Sequence, residues 1–176
     1  MDRREFLRMG AGLTATLIVQ AGFAKPNAPL ERSLGFYNTH TDEVLKTVYW
    51  AEGKYQPDGL REINRILRDH RTGDVHRMDE RLLDLLYSLQ NRTGRKDKFH
   101  IISGYRSPAT NAMLSARSTG VAKHSYHMQG MAIDIRLPGY DLKKLHKAAL
   151  VLKSGGVGYY PSSNFIHVDV GPVRSW

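Results

Sequence analysis

Ser125-Tyr126-His127-Met128-Gln129-Gly130-Met131-Ala132-Ile133-Asp134 holds two residue types that ligate metals, His127 and Asp134, on either side of a glycine. After Gly130 the pattern has a period of two. Met131, Ile133 and Ile135 share one face, and Ala132, Asp134 and Arg136 share the other, which predicts a strand with one buried face. Phe165-Ile166-His167-Val168-Asp169-Val170 has the same grammar, with Phe165, His167 and Asp169 opposite Ile166, Val168 and Val170. If the two strands are neighbours, His127, Asp134 and His167 converge. Two imidazoles and one carboxylate are the protein half of a catalytic zinc site, with a fourth position left for water. Taken singly, each of the three also reads as an ordinary polar residue at a sheet surface.

The chain has 176 residues, enough for one domain with its own core. Its 26 Lys and Arg exceed its 17 Asp and Glu, a net charge of +9 that suits an anionic polymer, a lipid surface or nucleic acid. The basic residues are scattered, and no basic helix or aromatic–basic platform marks a nucleic-acid reader. There are no cysteines. Disulfides and thiolate ligands are excluded, so any zinc must use His and carboxylate.

The beginning of the chain gives the compartment. Asp2-Arg3-Arg4-Glu5-Phe6-Leu7-Arg8 precedes an uncharged run from Met9 to Gln20, with small residues at Gly22 and Ala24. A basic start, a short apolar run and small residues predict a secretory signal over 1–24, cleaved after Ala24. The paired arginines followed by Phe6-Leu7 resemble the bacterial twin-arginine signal, which implies the twin-arginine translocase as partner during export and the periplasm as destination. The run is too short and too rich in Gly and Thr for a comfortable membrane span of about 20 residues; an anchor that stays attached is the alternative. Loss of Arg3, Arg4 and Arg8 with Asp2 and Glu5 would leave the mature part at +8.

Residues 25–32, with Pro26 and Pro29, read as a linker before a single domain over 33–176. Leu34–Asn38 and Val44–Trp50 are strand-like, and Thr39-His40-Thr41-Asp42 between them predicts a hairpin. Leu60, Ile63, Ile66 and Leu67 have helical spacing after Pro57-Asp58-Gly59. Arg68–His76 is polar and basic and reads as an exposed loop. Asp79 is an N-cap for a leucine-rich helix ending near Gly94. Phe99–Gly104 is a buried strand, and Pro108 suits the first turn of a helix reaching Arg117. Arg106 thus sits at a strand-to-helix junction, a usual place for a substrate-contacting residue and equally for a surface ion pair. Pro138-Gly139 turns into an amphipathic helix over Asp141–Lys153. Gly155–Tyr160 is a Gly-rich strand suited to close packing, without the lysine or spacing of a phosphate loop.

Ser125-x-His127-x-x-Gly130-x-Ala132-x-Asp134 with His167 downstream resembles the signature of the zinc peptidases that include D-alanyl-D-alanine carboxypeptidases, lysostaphin-type enzymes and the hedgehog signalling domain. Ile102–Ser107, Gly120–Lys123, Ser125–His127, Gly155–Pro161 and Asn164–Asp169 are similar to the murein endopeptidase K branch of that family. The likeness runs from the hairpin to Trp176. It implies an α+β fold, an antiparallel sheet with helices packed on one face and the zinc site on the other. It implies His127, Asp134 and His167 as zinc ligands, and Arg106 as a contact to substrate carbonyl or carboxylate. Many relatives place Glu or Asp three residues before the last ligand, or His two before it, as general base. Here those places hold Asn164 and Phe165. Asp169 is the first candidate for the base, with His124 and Tyr126 behind it; Asp169 could equally orient a histidine. Ser125 is structural, since nothing in the pattern supplies a base for a serine nucleophile.

The function this implies is a zinc-dependent peptidoglycan peptidase, an endopeptidase acting on peptide crosslinks of the wall. Two alternatives use the same residues: a non-catalytic, zinc-stabilised wall-binding module, and a D,D- or L,D-carboxypeptidase acting on stem-peptide ends.

Overall fold

The computed structural model describes residues 30–118 and 120–176. The expected signal, and the linker up to residue 29, lie outside the described residues. Strand β1 (Glu31–Asn38) already includes Glu31 and Arg32, which the sequence assigned to the linker. β2 (Val44–Ala51) folds back on β1, antiparallel, as the hairpin expectation requires, and the short β3 (Lys54–Tyr55) follows at the edge.

Helix α1 (Pro57–Ile66) carries Ile63 and Ile66 into the core, and α2 (Glu80–Thr93) carries Leu82, Leu83, Leu85, Leu86 and Leu89. Each such burial contributes roughly 1.5–3 kcal/mol. The Asp79 side chain caps α2 by accepting from the Arg81 amide at 2.9 Å, and Gly94 ends it in the left-handed conformation. Then come β4 (Phe99–Ser103), α3 (Pro108–Arg117), β5 (Ala132–Arg136), α4 (Leu142–Leu152), β6 (Gly156–Tyr160), β7 (Phe165–Asp169) and β8 (Arg174–Ser175). Among the described residues no helix is long and apolar enough to cross a membrane.

The eight strands form one sheet in the order β3-β2-β1-β4-β5-β7-β6-β8. The fold is α+β, but the sheet is mixed where an antiparallel one was expected. β4 runs parallel to β1, and β8 runs parallel to β6. The reason lies in the connections. Between β1's hairpin and β4 the chain passes through two helices, a crossover long enough to bring a strand back in the same direction. Period-two alternation carries no information about direction. Leu34, Phe36, Tyr49, Phe99, Ile101, Ile133, Ile135, Ile166 and Val168 are all buried with the helix leucines in one core. α1, α2 and α4 cover that face. α3 stands with the site instead, where Asn111 hydrogen-bonds Arg106 and the carbonyls of Ala122 and Lys123.

The 68–76 loop is less free than its polarity suggested. Asp69 is buried and accepts from the Ser107 amide at 2.8 Å, the Ser107 hydroxyl at 2.7 Å and the Arg71 amide at 2.9 Å. Ser107 in turn caps α3 through the Thr110 amide. The loop therefore ties down the junction that carries Arg106. Burial raises the Asp69 carboxyl, but the donors from Thr110, Ser107 and Arg71 outweigh it and hold the group well below the usual carboxylate range. A carboxyl depressed on folding contributes stability that is present above its unfolded pKa and lost as pH falls through the folded one. Asp69→Asn should therefore cost about 2 kcal/mol at neutral pH. In urea melts at stepped pH, its deficit against the wild type should shrink once pH drops below about 4; a pH-independent deficit would remove the carboxylate's charge from the explanation.

Candidate metal centre

Asp134 and His167 are directly opposite one another on β5 and β7. Both leave the core face, where Ile133, Ile135, Ile166 and Val168 point the other way. His127 arrives from a 3-10 turn, Tyr126–Gln129, whose N-cap is Ser125; the Ser125 hydroxyl accepts from the His127 amide at 3.3 Å. That is the structural role expected of Ser125. Gly130 ends the turn at φ +67°, and a Cβ there would run into the Arg77 carbonyl. Only glycine takes that conformation without strain and leaves that space. Its carbonyl accepts from the Asp79 amide at 3.0 Å, which ties the turn to the cap of α2.

The three expected ligands meet. His127 Nε2 lies 3.2 Å from His167 Nδ1 and 3.3 Å from Asp134 Oδ1, and His167 Nδ1 lies 2.9 Å from Asp134 Oδ1. All three residues are buried. Tetrahedral zinc with ligand bonds of about 2.0–2.1 Å separates its ligand atoms by about 3.3 Å, so the triangle fits such an ion.

Hydrogen bonds behind the rings fix their tautomers. His127 Nδ1 is 2.8 Å from the Gly104 carbonyl, which can only accept, so this nitrogen carries a proton and the neutral ring keeps its lone pair on Nε2. His167 Nε2 is 3.0 Å from Asp169 Oδ2, so in the neutral ring the lone pair is likewise on Nδ1. Two lone pairs and a carboxylate oxygen then face one another. Such a cluster needs a proton or a metal cation in it, and imidazoles held from behind by a carbonyl and a carboxylate are the usual support for metal ligands. Burial raises the Asp134 carboxyl, but the neighbouring His127 and His167 outweigh it and hold it well below the usual range. Burial lowers the His167 imidazole, and Asp134 and Asp169 more than reverse this, so its basicity rises.

Asp169 does not face the groove. It is fully buried behind His167. Besides His167, it accepts from the Gly156 amide at 3.0 Å, the Gly171 amide at 2.8 Å and Arg174 at 3.1 and 2.7 Å. Both oxygens are occupied, which is the arrangement of an orienting carboxylate and not of a base open to substrate. Burial raises it, and these donors outweigh burial and hold it ionised.

Arg106 does face the groove. Its guanidinium is 3.8 Å from Asp134 Oδ2, beyond hydrogen-bond range. Its bonds to Asn111 Oδ1 and Ser103 Oγ are long, at 3.4 and 3.5 Å, and its buried Nε has no partner among the described residues. Burial lowers this guanidinium against the pull of Asp134. A buried cation so poorly partnered has donors to spare for a ligand. The groove, about 550 Å3, lies between the 120–126 segment and the β6–β8 edge, and its lining includes Arg106, the three ligands, His124, Tyr126, Tyr160 and Trp176. The last two were not singled out from the sequence. Tyr160 lies in the Gly155–Pro161 segment, which carried the resemblance without a role for this residue, and Trp176 reaches the site because β8 pairs with β6.

A family model described as peptidoglycan L,D-endopeptidase MepK matches residues 26–176. The chain is 42% identical over 176 residues to the peptidoglycan L,D-endopeptidase MepK of Escherichia coli (strain K12), covering 99% of this chain and 97% of that protein. It is likewise 42% identical, over 177 residues, to the probable peptidoglycan L,D-endopeptidase MepK of Haemophilus influenzae, covering 99% of this chain and 95% of that one. No solved structure matches the chain. Coverage of nearly the full length of both chains makes the kinship one of whole domains, and the chain belongs to the peptidoglycan L,D-endopeptidase MepK family of peptidases.

Proposed function

We propose that this protein is a zinc-dependent peptidoglycan peptidase, an endopeptidase that hydrolyses peptide crosslinks of the wall after export to the periplasm. The observation that carries the reading is the close triangle of His127 Nε2, Asp134 Oδ1 and His167 Nδ1. The names of its relatives support the substrate class. A twin-arginine-type start over residues 1–24 supports the export route.

His127, Asp134 and His167 would hold the zinc, which when bound activates water and polarises a carbonyl. The chain's own residues do the rest. Gly104 and Asp169 keep both imidazoles in the ligating tautomer. Arg106 donates to the substrate carbonyl oxygen as charge builds on it, or to a neighbouring carboxylate. Asp169 acts through His167 as a positioning residue, which replaces the general-base role expected of it.

Incubating the protein with muropeptides, with and without a chelator, tests the reading by the masses of the products. Crosslinked dimers should fall to monomers only when the metal is retained. Loss of a terminal residue alone would indicate a carboxypeptidase, and no new product in either tube a binding module.

Three variants separate the roles. His127→Ala should lose stoichiometric zinc and wall hydrolysis together; a variant that still holds one zinc per chain takes His127 out of the ligand set. Asp169→Asn should weaken zinc affinity by about 10–100-fold, read by competition with a chromogenic chelator, because Asn can present its amide where His167 needs an acceptor. Arg106→Ala should keep its metal and lose about 10²–10³-fold in kcat, and unchanged turnover would refute its contact with the reacting carbonyl.

A further inference from the structure

We propose that Tyr160 is a second catalytic hydrogen-bond donor of this centre and that Trp176 sets the direction in which it donates. The inference rests on the peptidase reading above. Tyr160 closes β6, directly across from Phe165 on β7. Its ring stacks on Phe165, with centroids 4.7 Å apart and planes 18° from parallel, so the side chain is held on one face. Its hydroxyl oxygen lies 2.7 Å from Trp176 Nε1. An indole N–H can only donate. The Tyr160 oxygen must therefore accept in that bond, and its own proton must point elsewhere. No acceptor among the described residues takes it. Tyr160 lines the groove that also holds Arg106, His127, Asp134 and His167, and its hydroxyl is open to solvent, so a ligand entering the groove can take that proton in place of water.

Trp176 is fixed well enough to enforce this polarity. Its amide donates to the Val157 carbonyl at 3.3 Å, and its carbonyl accepts from the Tyr159 amide at 3.0 Å. The indole lies against Gly158, where a Cβ would come within 2.7 Å of the ring. Gly158 is directly opposite His167, so a bare backbone at that position lets the indole settle over the imidazole, centroids 5.3 Å apart. Trp176 is a positioning residue in this scheme. Tyr160 touches the substrate. It donates to the carbonyl oxygen as the amide becomes tetrahedral, and the proton stays on the phenol throughout. Arg106 contributes charge and Tyr160 contributes direction, two donors aimed where negative charge develops.

The test uses the zinc-loaded full chain. Tyr160→Phe keeps the ring and its stack and removes only the hydroxyl. It should lose about 10²-fold in kcat on crosslinked muropeptides, with KM and zinc content unchanged. Trp176→Phe should lose less. The double variant should be no slower than Tyr160→Phe alone, because the indole has nothing left to orient. Binding gives a readout that does not depend on turnover. A phosphinate isostere of the crosslink dipeptide carries the tetrahedral charge of the transition state; calorimetry should find it bound about as many fold more weakly by Tyr160→Phe as kcat falls, with product binding unchanged. Wild-type-like turnover and phosphinate affinity in Tyr160→Phe overturn the proposal. Independent, multiplying losses in the double variant overturn the part given to Trp176. Should the wild type bind phosphinate yet cut no crosslink, the peptidase reading fails and the phosphinate series alone decides Tyr160. A wild type that neither binds phosphinate nor cuts crosslinks overturns both.

Discussion

One cross-strand register governs this molecule. Asp134 faces His167 across β5 and β7, and every other feature of the site takes its position from that pair. Successive strand residues alternate faces, so a slip of either strand by one residue would turn its member of the pair into the core and bring its apolar residues out. The register is therefore held by the whole buried face, Ile133 and Ile135 against Ile166 and Val168. The apolar core and the polar site are two sides of the same four-residue alignment, and neither can be changed without the other.

Holding two imidazoles and a carboxylate this close is unfavourable by itself. Burial away from water costs the carboxylate several kcal/mol unless it is paired, and its neighbours are the two imidazoles and the more distant Arg106. The fold offsets the cost from behind. The Gly104 carbonyl and the Asp169 carboxylate each take the outer N–H of a ring, and Asp169 is itself held by Arg174 and two backbone amides. The rings cannot flip without abandoning these bonds. A centre built this way takes a cation at its inner nitrogens while the bonds behind the rings stay intact.

Much of this was legible in the sequence because it depends on local period and local caps. Alternation gave the faces of β5 and β7, so His127, Asp134 and His167 could be brought together before any coordinates. Asp79, Pro108 and Asp141 marked helix starts that the structure keeps. Strand direction was not legible, because alternation reads the same both ways, and the parallel pairings of β1 with β4 and β6 with β8 followed from connections instead. The face of Asp169 was legible and its job was not. Being on the same side as His167 does not say whether a carboxylate looks into the groove or stands behind the ring, and Arg174, which decides it, belongs to a strand too short to announce itself. Asp69 shows the same limit. In a run of Arg, Asp, His and Thr it looks solvated, and only the distant Ser107 makes it a buried anchor.

The charges around the centre give the arrangement its direction. Asp134 and Asp169 are ionised and are balanced by Arg106 and Arg174, so the fixed side chains sum to no net charge. A dication held by the three ligands would then supply the whole local excess, undiminished by further carboxylates. In a site largely shielded from water, that excess acts most strongly on charge that appears only during reaction. A neutral amide gains little from it in the ground state, whereas a carbonyl oxygen becoming an anion gains a great deal. A side chain that helps such an oxygen without spending that excess must direct a proton and carry no negative charge of its own. Of the groove's side chains, a phenol whose oxygen is already engaged by an indole N–H meets that condition.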